Sequence, residues 1–254
     1  MIVAKFGGTS LATRESVMQV VEIIKSDTRR QVCVVSAPGR CVNFPKLTDL
    51  LLRHDIQSAV AKVSSLVESL PVSADVAKRV VRMVSNCSQY MPVQYRVARG
   101  ESISALLLSD LLGWRCLPAQ DVIQFASGQV RVLPRFYAEE PVVIPGFYGW
   151  CVDSQSIKTF PRGGSDISAA YIAAAWKAVS YENWTDVNGV HNNDPREVVD
   201  AIPYAHISYQ KLRKIADAGA AVVHPDAVVP VELSQIPLHV KNTFQPSHPG
   251  TVVS

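Results

Sequence analysis

The chain has 254 residues, 48% of them hydrophobic and 19% charged, with a formal net charge of +3. That balance describes a core-forming globular protein and excludes a disordered one, and the scattered basic residues leave no nucleic-acid footprint. Cys33, Cys41, Cys87, Cys116 and Cys151 lack the spacing of a disulfide frame or zinc site, and no apolar window is long enough to span a membrane.

In chain order, Ile2–Phe6 reads as a strand that follows Met1 with no signal-peptide pattern, so a cytoplasmic location is expected. Val17, Val20, Val21 and Ile24 then fall at helical spacing, with Thr13 as N-cap. Residues 31–36 are short and β-branched, which favours a buried strand. A strand, helix and strand in succession predict a parallel sheet. Ser36-Ala37-Pro38-Gly39-Arg40 then lies at a strand's carboxyl end, where open α/β sheets bind ligands.

Residues 47–112 read as mostly helical. Val76, Val80, Val81 and Val84 share one face; Ile103, Leu106, Leu107 and Leu111 share another, in a helix entered through Gly100-Glu101-Ser102. Residues 113–149 predict short strands or a hairpin, and apolar runs at Val142–Pro145, 180–187 and 238–240 predict strands. Residues 166–177 form an alanine-rich helix suited to close packing on a sheet.

Four segments carry chemistry. Lys5-Phe6-Gly7-Gly8-Thr9-Ser10 reads as an anion cradle behind a lysine or as a glycine turn with a surface lysine; it is neither a Walker A loop nor a G-x-G-x-x-G fingerprint. Arg162-Gly163-Gly164-Ser165-Asp166 opens the alanine-rich helix. There Ser165 is the expected N-cap, Arg162 suits a carboxylate, and Asp166 is a ligand group or a compensator of the helix dipole. Asp186 and Arg196 suit a nucleotide, although Asn188-Gly189 and Pro195 also read as a hairpin-like turn followed by a proline-started helix. Glu101 either grips a ligand ammonium or marks a helix start.

Taken together these segments have an order. The loops at Lys5 to Ser10, Arg99 to Ala105, Arg162 to Asp166 and Trp184 to Val190, with Asp194-Pro195-Arg196 and Val223-His224-Pro225, resemble the catalytic domain of aspartate kinases, within the amino acid kinase superfamily. The resemblance closes with Val240-Lys241-Asn242-Thr243-Phe244 and Pro249-Gly250-Thr251. It implies an α/β/α sandwich around a largely parallel central sheet: one domain over residues 1–254, with an amino-acid lobe over about 1–150 and an ATP lobe over about 151–254.

It further implies transfer of the γ-phosphate of ATP, with Mg²⁺, to the side-chain carboxylate of L-aspartate. Lys5 and Asp166 are the implied catalytic pair. Ser36, Glu101, Arg162, Gly163, Gly164 and Ser165 are implied on the acceptor side. Lys5, Gly7, Gly8, Thr9, Ser10, Thr185, Asp186, His191 and Arg196 are implied on the nucleotide side, with no dedicated metal ligand. No membrane or nucleic-acid partner is implied, and a homodimer is left open. Two other readings stand beside this one: a kinase of the same fold acting on another amino acid carboxylate, and a non-catalytic amino-acid or nucleotide-binding subunit.

The chain departs from the family pattern in places. Ala221 replaces a lysine that usually contacts ATP phosphates, a contact worth about 1.5–3 kcal/mol on the scale of a charged hydrogen bond. Arg196, Lys211 and Lys214 are the nearby cations that could compensate. His191 stands where tyrosine is common, Asn188 where aspartate is common, and Phe160-Pro161 where Leu-Gly is common. Family members often continue into paired ACT domains, whereas this sequence stops at Ser254; the expectation is of no ACT domain and no lysine or threonine feedback within it.

Overall fold

The computed structural model describes residues 1–134, 140–191, 201–217 and 223–254. The first half runs β1 (Ile2–Phe6), α1 (Arg14–Lys25), β2 (Arg30–Val35), α2 (Leu47–Arg53), α3 (Ile56–Ser69), α4 (Ala74–Ser85) and α5 (Val93–Leu112). Short strands follow: β3 (Arg115–Cys116), β4 (Ile123–Ala126), β5 (Gln129–Val132), β6 (Val142–Pro145), β7 (Tyr148–Cys151) and β8 (Ser156–Thr159). The rest comprises α6 (Gly164–Ala175), β9 (Ser180–Thr185), β10 (His206–Ile207), α7 (Tyr209–Asp217), α8 (Pro225–Leu233), β11 (Leu238–Asn242) and β12 (Thr251–Val253).

Eight strands form the central sheet in the order β10-β12-β11-β9-β1-β2-β6-β3, and every neighbouring pair is parallel except β11 with β12. A smaller sheet, β5-β4-β7-β8, lies beside it. Strand side chains alternate between faces, and the alternation divides the core. Val3, Val34, Ile144, Tyr181 and Val240 pack with α6 and α8, whereas Ala4, Phe6, Val35 and Trp184 pack with α1, α2, α3 and α5. The architecture is therefore the expected α/β/α sandwich. β1 lies at its centre, with Phe6 opposite Val35 of β2 on one side and Trp184 of β9 on the other.

Thr13 caps α1 by accepting from the Ser16 backbone N–H, and Ser16 reciprocates to the Thr13 N–H, which fixes where the first helix leaves its loop. All five cysteines are free. No described helix is long and apolar enough to cross a membrane.

Two local expectations are corrected. The helix carrying Glu101 starts at Val93, so Gly100-Glu101-Ser102 lies inside α5 and is not its entry. Gly100 is a packing requirement there, because a Cβ would stand 2.7 Å from the Ala37 Cβ and separate α5 from the loop after β2. Asn188-Gly189 closes no hairpin, since both neighbours of β9 are parallel strands. Instead Val190 N–H donates to Thr251 Oγ1 at 2.8 Å, tying this loop to β12.

On the α1 side a buried ion pair crosses the sheet. Arg30 Nε donates to Glu182 Oε2 at 2.7 Å, Trp184 Nε1 donates to the same oxygen at 2.8 Å, and Arg30 Nη1 donates to the Ile23 carbonyl at 2.6 Å. Removing one partner strands a charge away from water. Arg30→Met is expected to cost about 3–5 kcal/mol in urea unfolding, with much of it recovered in the double variant Arg30→Met/Glu182→Gln.

Candidate active site

The carboxyl ends of β1, β2, β6 and β9 open on one cleft of about 550 Å³, and the amino terminus of α6 faces it. This is the place where a doubly wound sheet leaves a crevice, because connections depart in opposite directions from a central strand. Lys5, Gly7, Gly8 and Thr9 reach the cleft from β1 and the turn after it. Ser36 and Glu101 line it from β2's loop and from α5, Arg162 through Asp166 from the start of α6, and Thr185 and Asp186 from β9.

Lys5 is not a surface lysine. It shares the strand face of Val3, so β1 directs it toward α6, and the residue is 7% exposed. Its ammonium lies 2.5 Å from Asp166 Oδ1 and donates to Asn183 Oδ1 at 3.4 Å. Asp166 in turn accepts from the His224 backbone N–H at 3.4 Å. The carboxylate thus joins the central strand to the first residue before α8.

Ser165 is not the N-cap of α6, which corrects the sequence reading. Gly163 holds that position with φ 81°, and Ser165 lies buried in the first turn. The left-handed backbone disfavours a side chain, and a Cβ would also stand 2.7 Å from His224 Cδ2. Arg162, immediately outside, is exposed at the cleft.

Glu101 is 4% exposed. Its Oε1 accepts from the Ala37 N–H at 3.2 Å, while Oε2 is buried with no hydrogen-bond partner among the described residues. Burial pushes its carboxyl up to about 8, against the smaller downward pull of backbone N–H groups. The neighbouring loops are stitched together, with Gly39 N–H donating to the Gly8 carbonyl at 2.8 Å.

Two expected residues among those described do not line this cleft. Ser10 is fully buried and shares a hydrogen bond of 2.7 Å with Thr243. His191 is buried, with Nδ1 3.0 Å from the Gly189 carbonyl oxygen. Arg196 and Ala221 lie outside the described residues, and Lys211 sits over the Tyr204 ring.

The amino acid kinase family model matches residues 1–242. The chain belongs to the amino acid kinase family. Within that family it is 31% identical to aspartokinase 3 of Bacillus subtilis (strain 168), over 100% of this chain and 63% of that protein. It superposes on aspartate kinase of Clostridium acetobutylicum with TM-score 0.85 and 33% identity, covering 100% of this chain and 63% of that one. It superposes equally, at TM-score 0.85 and 25% identity, on 64% of Escherichia coli aspartokinase III solved with aspartate and ADP. The chain thus spans a little under two thirds of these relatives.

Further groups that the motifs did not single out also line the cleft. Lys46, Thr48 and Asp49 come from the start of α2, Leu52 from near its end, and Phe147 from the turn between β6 and β7. None stands in a glycine-rich loop. Phe147 has φ 75°, a strained conformation for an aromatic residue. It is held by its N–H to Ser168 Oγ at 2.8 Å and by its carbonyl, which accepts from the Phe160 N–H at 2.8 Å.

Proposed function

We propose that this amino acid kinase transfers the γ-phosphoryl group of ATP to the side-chain carboxylate of L-aspartate, giving 4-phospho-L-aspartate and ADP in the cytoplasm. One observation carries the reading. The buried Lys5–Asp166 pair lies in the cleft between Glu101 on one side and Thr185 and Asp186 on the other. The E. coli relative solved with aspartate and ADP supports the choice of substrates.

A carboxylate is already a nucleophile at neutral pH, so the site needs no general base. Its task is to align two anions and neutralise their repulsion. Glu101 takes the acceptor ammonium and Arg162 its α-carboxylate, which leaves the side-chain carboxylate facing Lys5. Lys5 neutralises the phosphoryl group in flight, and Asp166 holds Lys5 in place beforehand. Gly8 and Thr9 bring backbone N–H groups to the phosphates, the Gly7 N–H being held by the Trp184 carbonyl at 3.1 Å, and Thr185 and Asp186 serve the nucleotide. The acceptor half draws mainly on residues of about 1–150 and the nucleotide half on those of about 151–254, with the Arg162 loop between them.

Magnesium needs hard oxygen ligands and is commonly held by one or two carboxylates together with substrate phosphates. The residues present fit that arrangement. Asp186 is exposed at the cleft, with one oxygen accepting from Thr185 at 3.2 Å, and no cluster of three or more metal-ligating side chains occurs among the described residues. Bound with the nucleotide, the ion would supply charge neutralisation on the phosphates.

A hydroxamate assay with ATP, Mg²⁺ and a panel of acidic amino acids tests the proposal. Aspartate hydroxamate is the expected product. Preferred turnover of another acid would change the acceptor, and ATP binding without turnover of any acid would replace catalysis by a binding role.

A further inference from the structure

Between β2 and α2 the chain makes a loop over residues 38–47 that touches the cleft at both ends, through Pro38 and Gly39 and again through Lys46. Its neck is closed by Leu47 N–H donating to the Pro38 carbonyl at 3.0 Å. Its tip is a tight turn in which Cys41 and Phe44 exchange backbone hydrogen bonds of 3.0 and 3.3 Å, leaving Val42 fully exposed. A loop with so little apolar burial at its tip needs an anchor of another kind.

That anchor is a lysine in the wrong place for an ordinary helix. Lys62 sits on the buried face of α3, in line with Ala59, Val63 and Leu66, and is 2% exposed. Its ammonium donates to the Gly39 carbonyl at 2.7 Å, lies 3.7 Å from Cys41 Sγ, and stands 5.8 Å from the centre of the Phe44 ring. It makes no ion pair with an acid among the described residues. A buried ammonium without a carboxylate is costly unless its hydrogen bonds are kept, so its need for the Gly39 carbonyl is strong. All three contacts go to the one loop. The same Gly39 donates its N–H to Gly8, so the chain of bonds runs from α3 through the loop to the turn after Lys5.

We infer that Lys62 is a positioning residue for acceptor binding, holding the 38–47 loop from beneath in the shape that frames the acceptor half of the cleft. The inference deepens the proposed reading and rests on it for the identity of the acceptor. Lys62 does not itself line the cleft and acts through Gly39, Cys41 and Phe44.

The test compares Lys62→Met and Lys62→Arg with a second variant, Cys41→Ala/Phe44→Leu, which removes two of the three contacts and leaves α3 untouched. Lys62→Met should raise KM for L-aspartate by about tenfold or more, the scale of one charged hydrogen bond, with KM for ATP nearly unchanged. The double variant should show a smaller rise in the same KM, and Lys62→Arg should recover part of the loss. Hydrogen exchange at the amides of residues 39–47 should quicken by a similar factor in Lys62→Met, whether or not any acid is turned over. Unchanged exchange in that loop would overturn the inference, as would equal rises in both KM values. If the wild-type chain phosphorylates no acid, the functional reading falls while the exchange measurement still decides the role of Lys62.

Discussion

Replacing Lys5 by methionine is expected to lower kcat by about 10²–10³-fold while leaving both KM values within a few-fold. The two effects separate because the charge on Lys5 matters most when charge is spread over the transferring phosphoryl group. Glu101, Arg162 and the Gly7-Gly8 turn keep their ground-state contacts. Stability responds differently. In wild type the Lys5 and Asp166 side chains are 9% and 12% exposed, so the variant leaves a buried carboxylate without its cation. Losing one partner of such a pair typically costs about 3–5 kcal/mol. Adding Asp166→Asn should restore much of the stability and none of the turnover, because it removes the stranded charge and supplies no new cation. Thermal unfolding and steady-state kinetics on the same three proteins separate these effects. Wild-type turnover in Lys5→Met would sink the assignment of Lys5.

Much of the fold could be read locally because its strands are short apolar runs and its first helix has a paired cap. Ile2–Phe6, Val142–Pro145 and the Thr13 cap stand as expected. The boundaries that failed were set by contacts distant in sequence. Gly100 resembles a helix entry because glycine is a weak helix former, yet it lies mid-helix so that Ala37 can approach. Ser165 resembles an N-cap by residue type, but the left-handed backbone at Gly163 starts α6 two residues earlier than a serine cap would allow. The same limit governs the cleft. Lys5, Glu101 and Asp166 stood out in motifs, whereas Thr48 and Asp49 are delivered by the start of α2 and Phe147 by a turn, in a juxtaposition that no spacing encodes. Lys62 is the sharpest case, because a lysine within an apolar stripe reads as a solvated side chain until the loop above it is seen.

Glu101 should make acceptor binding depend on pH. Its carboxyl is pushed up to about 8 from an ordinary 4.5 by burial, so near neutral pH the free protein holds it largely protonated. An incoming ammonium requires the carboxylate, and binding must therefore displace a proton. The apparent affinity for the acceptor should weaken by about tenfold for each pH unit below 8 and level off above it. Glu101→Gln should flatten this profile and raise KM for L-aspartate by about 10–100-fold, the scale of a lost charged hydrogen bond in a buried site. Stability gives an independent reading of the same group. A folded-state value above the unfolded one means the unfolded chain ionises first as pH rises. Stability is then fully present below about 4.5 and is lost progressively toward about 8. Glu101→Gln removes that loss, so the unliganded variant should be more stable than wild type near pH 8 while binding the acceptor worse. A variant that loses acceptor affinity with no gain in stability at that pH would show that Glu101 is already ionised in the free protein, and the proton-coupled account would fail.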